Sequence, residues 1–209
     1  MNIDLPKTMK AIRFHTYGGP EVLQLEDVPV PSAQAGEVLV HVHAAGVNPG
    51  DWQIRSGLAH RKFGIDVPLP SIPGYDVSGM VAVVGRGVTS FQRGDAVYGM
   101  TTQSAAYAQY TTADPTHLAL KPLSLDHIQA AGVPMSAFTA WHTLFVRTRV
   151  VAGQTVLVNG AAGGVGHFVV QLAKGQGAQV AVNSTEQAIE PVGSPRHLTW
   201  LLLRKPHRS

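Results

Sequence analysis

The sequence predicts a β-rich domain over residues 1–123, joined to the start of a parallel α/β domain over residues 124–183, with an atypical basic tail over 184–209. Three observations carry this reading. Up to Leu120, short apolar runs alternate with Gly, Pro and Asp turns at the spacing of an all-β barrel or sandwich. From Ser124 the apolar period lengthens to that of helices. The stretch "VLVNGAAGGVGHFVVQLAK", Val156 to Lys174, then reads as strand, glycine turn and helix.

In chain order, "MKAIRFHTYGGPEVLQLEDVPVP" predicts two strands around a Gly-Gly-Pro turn. "GEVLVHVHAAGVN" is a longer strand with Val38, Val40 and Val42 on one face. The next segment, "PGDWQIRSGLAHRKFGIDVPLPSIP", holds Pro49, Pro68, Pro70 and Pro73 and has no sustained period. It predicts an irregular, exposed loop of the kind that often carries function. "YDVSGMVAVVG", "RGDAVYGM" and "AAYAQYTTA" are three further short strands.

Beyond them, "SLDHIQAAGV" predicts a short helix with Ser124 as its N-cap, and "SAFTAWHTLF" a second. "GQTVLVNG" is a buried strand. Val165, Phe168, Val169, Leu172 and Ala173 repeat at i, i+3, i+4, i+7 and i+8, which marks a helix with one buried face. "AQVAV" is a second strand and completes one β-α-β unit from Thr155 to Val182.

Composition excludes several classes. Hydrophobic residues make up 44% of the 209 and charged residues 14%, as in a globular protein with a core. There is no cysteine, hence no disulfide, thiolate nucleophile or cysteine-ligated zinc. His41 and His43 share a strand face, which reads as a solvated face because no third metal ligand stands nearby. The net charge of +3 comes from the tail. Residues 1–195 hold 12 Lys and Arg against 13 Asp and Glu, so no basic groove for nucleic acid is expected. Asp4 and Pro6 interrupt any signal-peptide pattern, and no apolar run suits a membrane span. A cytoplasmic protein is expected.

The glycine turn has a physical logic. Ala161 is small enough to open a tight turn, and Gly163 removes a side chain where a pyrophosphate approaches the backbone. Gly166 lets the helix pack close to its strand. Unpaired amides at the helix start then face the phosphates. At the end of the second strand an acid would grip the ribose of NAD. Here Val182, Asn183, Ser184 and Thr185 carry no charge that repels a 2′-phosphate, and Glu186 falls late, which points to NADP(H).

With "GEVLVHVHAAGVNPGDWQIRSG", "PGYDVSG", "VGRGVTSFQRGDAVYG" and "GAAGGVG" in this order, the chain resembles medium-chain dehydrogenases/reductases over about residues 9–182. It is most similar to their zinc-free quinone oxidoreductase branch. The resemblance implies a GroES-like β-barrel domain followed by an incomplete Rossmann domain, a parallel α/β fold. The expected activity is NADPH-dependent hydride transfer to a quinone or an activated enone. Zinc-dependent relatives place a cysteine where this chain has Asn48, and Gly-His-Glu where it has Gly74-Tyr75-Asp76. Hydrogen bonds would then hold the developing enolate or quinolate charge.

The resemblance puts Asn48 near the nicotinamide; read by itself, Asn48 is equally a turn residue before Pro49. Asp51 and Trp52 open the loop that would wall the cleft, yet Asp51 also reads as a cap and Trp52 as core. Tyr75 is a candidate proton donor or carbonyl partner, or a half-buried barrel tyrosine. Thr139 matches a cofactor-contacting position and is otherwise an ordinary helix threonine. Cofactor contacts are expected at Asn48, Thr139, Ala161, Gly163, Gly164, Val165, Gly166, Asn183 and Ser184, with catalytic roles for Asn48, Asp51 and Tyr75.

After Asn183 the resemblance ends. "EQAIEPVGSPRHLTWLLLRKPHRS" replaces the expected β-α alternation, a shift in composition that resembles a changed reading frame or a truncated gene. "LTWLLL" reads as a strand or a one-turn helix covering an otherwise unpaired sheet edge. Relatives often dimerise through sheet absent here, so a homodimer is expected only of a complete sheet. Three readings stay open: a reductase, an inactive truncated relative, and a binding module built on the β domain.

Overall fold

A computed structural model of the chain describes residues 5–183 and the backbone of Leu201–Arg204. It divides into two compact units, Met1–Met135 and Ser136–Ser209. The expectations for Ser184, for Thr185 and Glu186, and for the rest of the basic tail lie outside the described residues.

In the first unit, β1 (Thr8–Arg13) and β2 (Gln24–Pro29) form an antiparallel hairpin, with a 3-10 turn at Pro20–Val22 where the Gly-Gly-Pro signal stands. A five-stranded antiparallel sheet follows. It is built from β3 (Val38–Ala45), β4 (Asp76–Val84), β5 (Ala96–Met100), β6 (Tyr110–Ala113) and β7 (Leu118–Leu120), in the order β6-β3-β4-β5-β7. The hairpin joins the rest through isolated bridges, Ala11 to Ala108 and Phe14 to Ser71. Val38, Val40, Val81, Val97 and Ala113 form one core cluster; Met9, Ala11 and Val28 form a second beneath the hairpin. Leu39 is also fully buried, so β3 starts with both faces covered before His41 and His43 emerge exposed.

About half of the predicted irregular loop is instead helical. It forms α1 (Pro49–Arg55) and α2 (Leu58–Phe63). Pro49 occupies the first helical position, where its missing N–H costs nothing. The Asp51 carboxylate reaches back to accept the Asn48 N–H at 2.8 Å. Trp52, read as possible core, is 48% exposed on α1.

Two further boundaries differ from expectation. The helix after Ser124 is α3 (His127–Ala131), and its cap is Asp126, which exchanges hydrogen bonds with Gln129 in a full capping box. Asp126 wins because only it stands three residues before a glutamine that can return the bond. α3 packs on β3, β4 and β5, and the His127 ring lies 2.8 Å from Ser78 Oγ. This helix therefore belongs to the compact β unit, which runs on to Met135.

α4 (Pro134–Trp141) follows, continued by a π-helical segment at His142–Arg147. In the second unit β8 (Thr155–Asn159), α5 (Gly166–Gly175) and β9 (Gln179–Asn183) make the expected β-α-β unit with parallel strands. Val156 and Val158 are fully buried, whereas Leu157 is 36% exposed, so β8 buries one face and not both. The alternation in "TVLVN" matches its half-covered position. Val169, Val170 and Ala173 of α5 close the core with Ala140, Leu144 and Val150. β10 (Leu201–Arg204) pairs antiparallel with β8. The sheet is thus mixed, β10-β8-β9, and the strand reading of "LTWLLL" holds for its last residues.

Candidate functional site

Two buried carboxylates meet behind the start of α1. Asp51 is 6% exposed and Asp76, the first residue of β4, is 2% exposed. Asn48 bridges them: its backbone N–H donates to Asp51 Oδ2 at 2.8 Å and its side-chain Nδ2 to Asp76 Oδ2 at 3.0 Å. The Tyr107 hydroxyl donates to Asp51 Oδ2 at 2.8 Å. The Met135 N–H donates to both oxygens of Asp76, at 3.1 and 3.2 Å.

These donors offset only part of the cost of burial. Burial pushes the Asp76 carboxyl up to about 6, against hydrogen bonds from Asn48 and Met135 that favour the anion; the nearby Asp51 adds to the rise. Burial also raises Asp51, opposed by the bonds from Asn48 and Tyr107. Tyr107 is held well above the ordinary phenol range by burial and by its bond to Asp51. Tyr75 is raised by burial and then by the charge of Asp51.

Asp51 Oδ1 is buried and accepts from no described residue. A void of about 10 Å³ lies beside Asp51, Tyr75, Ser71 and Ser104, the size of one water. A larger open cavity of about 740 Å³ sits elsewhere in the β unit, among Arg13, Pro29, Pro68 and Thr112. None of Asn48, Asp51, Tyr75 or Asp76 lines it, so this cavity is not the site of the acids.

In the second unit the glycine turn joins β8 to α5. Gly160 takes a positive φ of 64°, and its carbonyl accepts the Gly163 N–H at 3.1 Å. The Gly160 N–H donates to the Asn183 carbonyl, which brings the end of β9 beside the turn. Ala161 is buried and Gly166 opens the helix. The N-cap of α5 is Val165, whose side chain offers no acceptor and so caps none of the first amides of the helix. That is the donor set an anionic phosphate takes. The residues present therefore fit a dinucleotide pyrophosphate.

Of the expected site residues, Asn48, Asp51 and Tyr75 come together in the β unit, and Ala161, Gly163, Gly164, Val165, Gly166 and Asn183 in the α/β unit. Thr139 is half-buried on α4. Two members of the buried network, Asp76 and Tyr107, were not among the residues expected to act. Asp76 stood in the quoted Gly-Tyr-Asp triplet and its burial was the missing fact. Tyr107 carried no local signal, because its partner lies 56 residues away. Among the described residues no group of three or more His, Asp or Glu is arranged to hold a metal ion. No helix among them is long and apolar enough to cross a membrane.

Residues 34–144 match the family model for the alcohol dehydrogenase GroES-like domain. The chain belongs to that family. This GroES-like chain is 46% identical to rat (Rattus norvegicus) quinone oxidoreductase over 176 residues, covering 83% of the chain and 52% of the rat protein. It is 43% identical over 196 residues to the chloroplastic NADPH-dependent alkenal/one oxidoreductase of Arabidopsis thaliana, covering 88% and 50%. Among solved structures, an alcohol dehydrogenase superfamily protein from Novosphingobium aromaticivorans superposes with a TM-score of 0.82 at 39% identity, covering 88% of this chain and 56% of that one. The quinone oxidoreductase from Coxiella burnetii gives 0.74 at 36%, covering 87% and 58%. These likenesses are to quinone oxidoreductases, an alkenal/one oxidoreductase and an alcohol dehydrogenase superfamily protein. The chain spans about half the length of the curated relatives it matches.

Proposed function

We propose that this chain carries the cofactor turn and the β-domain site of an NADPH-dependent, zinc-independent oxidoreductase that reduces quinones or activated enones. The glycine turn carries the reading: a ten-residue helix with no side-chain cap from Val165 opens at Gly166, directly after a strand and beside a second parallel strand. Gly164 and Val165 would hold the pyrophosphate through backbone amides, with Ala161, the bare Cα of Gly163, and Gly166 permitting the close approach. Asn183, at the end of β9, would flank the adenosine ribose without an acid to repel a 2′-phosphate. Thr139 would meet the nicotinamide half. Bound dihydronicotinamide supplies a hydride.

The donor set does not suit a catalytic zinc. The chain has no cysteine, and both oxygens of Asp76 are already engaged by Asn48 and Met135. The acceptor must then be one whose reduction needs no Lewis acid, which fits a quinone or the β-carbon of an enone. Asn48 would face the nicotinamide. Tyr75, with a half-buried hydroxyl, would donate a hydrogen bond to the acceptor oxygen as charge develops there. Asp51 beside it would hold local water and tune that hydroxyl. The similarity to a quinone oxidoreductase and an alkenal/one oxidoreductase supports this substrate class.

The test is steady-state loss of dihydronicotinamide absorbance with NADPH or NADH against a panel of quinones and enones, using the 209-residue chain. Turnover with NADPH that falls in Tyr75→Phe supports the reading. Binding of NADPH without turnover on any acceptor would restrict the chain to cofactor capture.

A further inference from the structure

The side-chain amide of Asn48 has one donor end and one acceptor end, and the fold uses the donor end internally. Nδ2 donates to Asp76 Oδ2 at 3.0 Å. An ionised carboxylate only accepts, so this contact fixes which way the amide faces. Asp76 is itself enclosed. Met135 donates to both of its oxygens, and its backbone carbonyl accepts the Gly46 N–H at 2.9 Å. A Cβ added to Gly46 would stand 2.8 Å from Asp76 Cβ and 2.5 Å from the Ala131 carbonyl oxygen, so main chain closes directly over the carboxylate. Asn48 is anchored too, through its N–H on Asp51 and through Pro49 at the start of α1.

We infer that Asp76 is a positioning residue: it holds the Asn48 NH2 inward, so that Asn48 meets a ligand as a hydrogen-bond acceptor through Oδ1. Oδ1 also faces the Asp51 amide at the helix start, but that N–H already donates to the Asn48 backbone oxygen at 3.0 Å. A carbonyl oxygen has two lone pairs, so an acceptor site remains. Resting on the reading of Asn48 as ligand-facing, the inference names the partner chemistry as a hydroxyl or a primary carboxamide N–H. A quinone or enone oxygen, which only accepts, is refused there and is left to the Tyr75 hydroxyl.

The arrangement depends on the charge state of Asp76. Protonated, Asp76 becomes a donor, and the Asn48 amide gains by turning its oxygen inward. Burial places that change near pH 6, and Asp51 and Tyr107 are the other titratable groups acting on Asp76.

The test is a pH series of nitrogen–proton correlation spectra on the 209-residue chain without cofactor, reading the Asn48 side-chain NH2 together with the Asp76 carboxyl carbon. The expected result is one step in the Asn48 NH2 shifts, sharing its midpoint with the Asp76 carbon, and a flat Asn48 profile in Asp76→Asn. An Asn48 NH2 that stays flat while the Asp76 carbon titrates overturns the inference, as does an unchanged step in Asp76→Asn. Should Asp76→Asn not fold, the shared or unshared midpoint in the unsubstituted chain decides. Neither readout needs NADPH or turnover, so this inference and the reductase reading fail separately.

Discussion

Asn48 Nδ2 lies 3.0 Å from Asp76 Oδ2, a bond that spans 28 residues and ties the start of α1 to the first residue of β4. Through the Asn48 backbone N–H the same residue holds Asp51, so one asparagine supports two buried carboxylates. The helix start, the first residue of the central strand β4 and the candidate site are therefore one hydrogen-bonded unit.

Stability should fall as pH rises through the Asp76 titration. Its folded value of about 6 lies above the ordinary 3.8, so the folded state binds more protons than the unfolded one between those values. The contribution is fully present below about 4 and is lost through about 6, amounting to on the order of 3 kcal/mol. Glu26, lowered chiefly by its bond to His15, and Asp114, lowered by its bonds to Thr116, slope the other way. Urea midpoints for the unsubstituted chain and Asp76→Asn at pH 4.5 and pH 7.5 isolate the Asp76 part. The variant is expected to lose most of the pH-dependent difference, and equal slopes would count against the raised value.

Tyr107→Phe removes the O–H that donates to Asp51 Oδ2 and leaves a buried carboxylate with one donor fewer. The expected cost is about 1–3 kcal/mol by chemical denaturation, with the Asp51 carboxyl rising further. A change near zero would mean that water replaces the phenol.

Gly74 sits at φ +91°, and a Cβ there would lie 2.4 Å from two ring carbons of Tyr107. Gly74→Ala should therefore cost well over about 1 kcal/mol, since backbone strain and ring displacement act together. Moving the ring also pulls the hydroxyl from Asp51. Near-ultraviolet circular dichroism should change along with the urea midpoint.

Much of this was legible in the sequence where the interactions are local. The β-α-β unit depends on neighbours in sequence: alternation in Thr155–Asn159, a glycine turn, and apolar positions of α5 at helical spacing. α1 was also written there, since Asn48, Pro49 and Asp51 form a helix start, but the prolines at 68, 70 and 73 made the whole segment read as loop. Ser124 was read as a cap although Asp126 and Gln129 hold the reciprocal pair. The acid network was not legible, because burial of Asp76 and the reach of Tyr107 arise only once β4 pairs with β3 and β5 and the Ala106 and Tyr107 amides bond to Gly74 and Pro73 just ahead of β4. Asn48, Asp51 and Tyr75 came into view through family resemblance, which marks positions and says nothing of charge state.

Gly163→Val should weaken nucleotide binding at least tenfold, by placing a branched side chain where a pyrophosphate meets the backbone. The β unit carries none of that turn, so its urea midpoint should be unmoved. Parallel loss of both would assign Gly163 to folding.

The central claim is that the turn between β8 and α5 takes a nicotinamide dinucleotide, and calorimetric titration of the purified chain with NADPH and with NADH tests it most directly. The account predicts saturable binding of NADPH at about 10 μM or tighter, stronger than NADH, and lost in Gly163→Val. Absence of heat and of saturation up to about millimolar NADPH would contradict it.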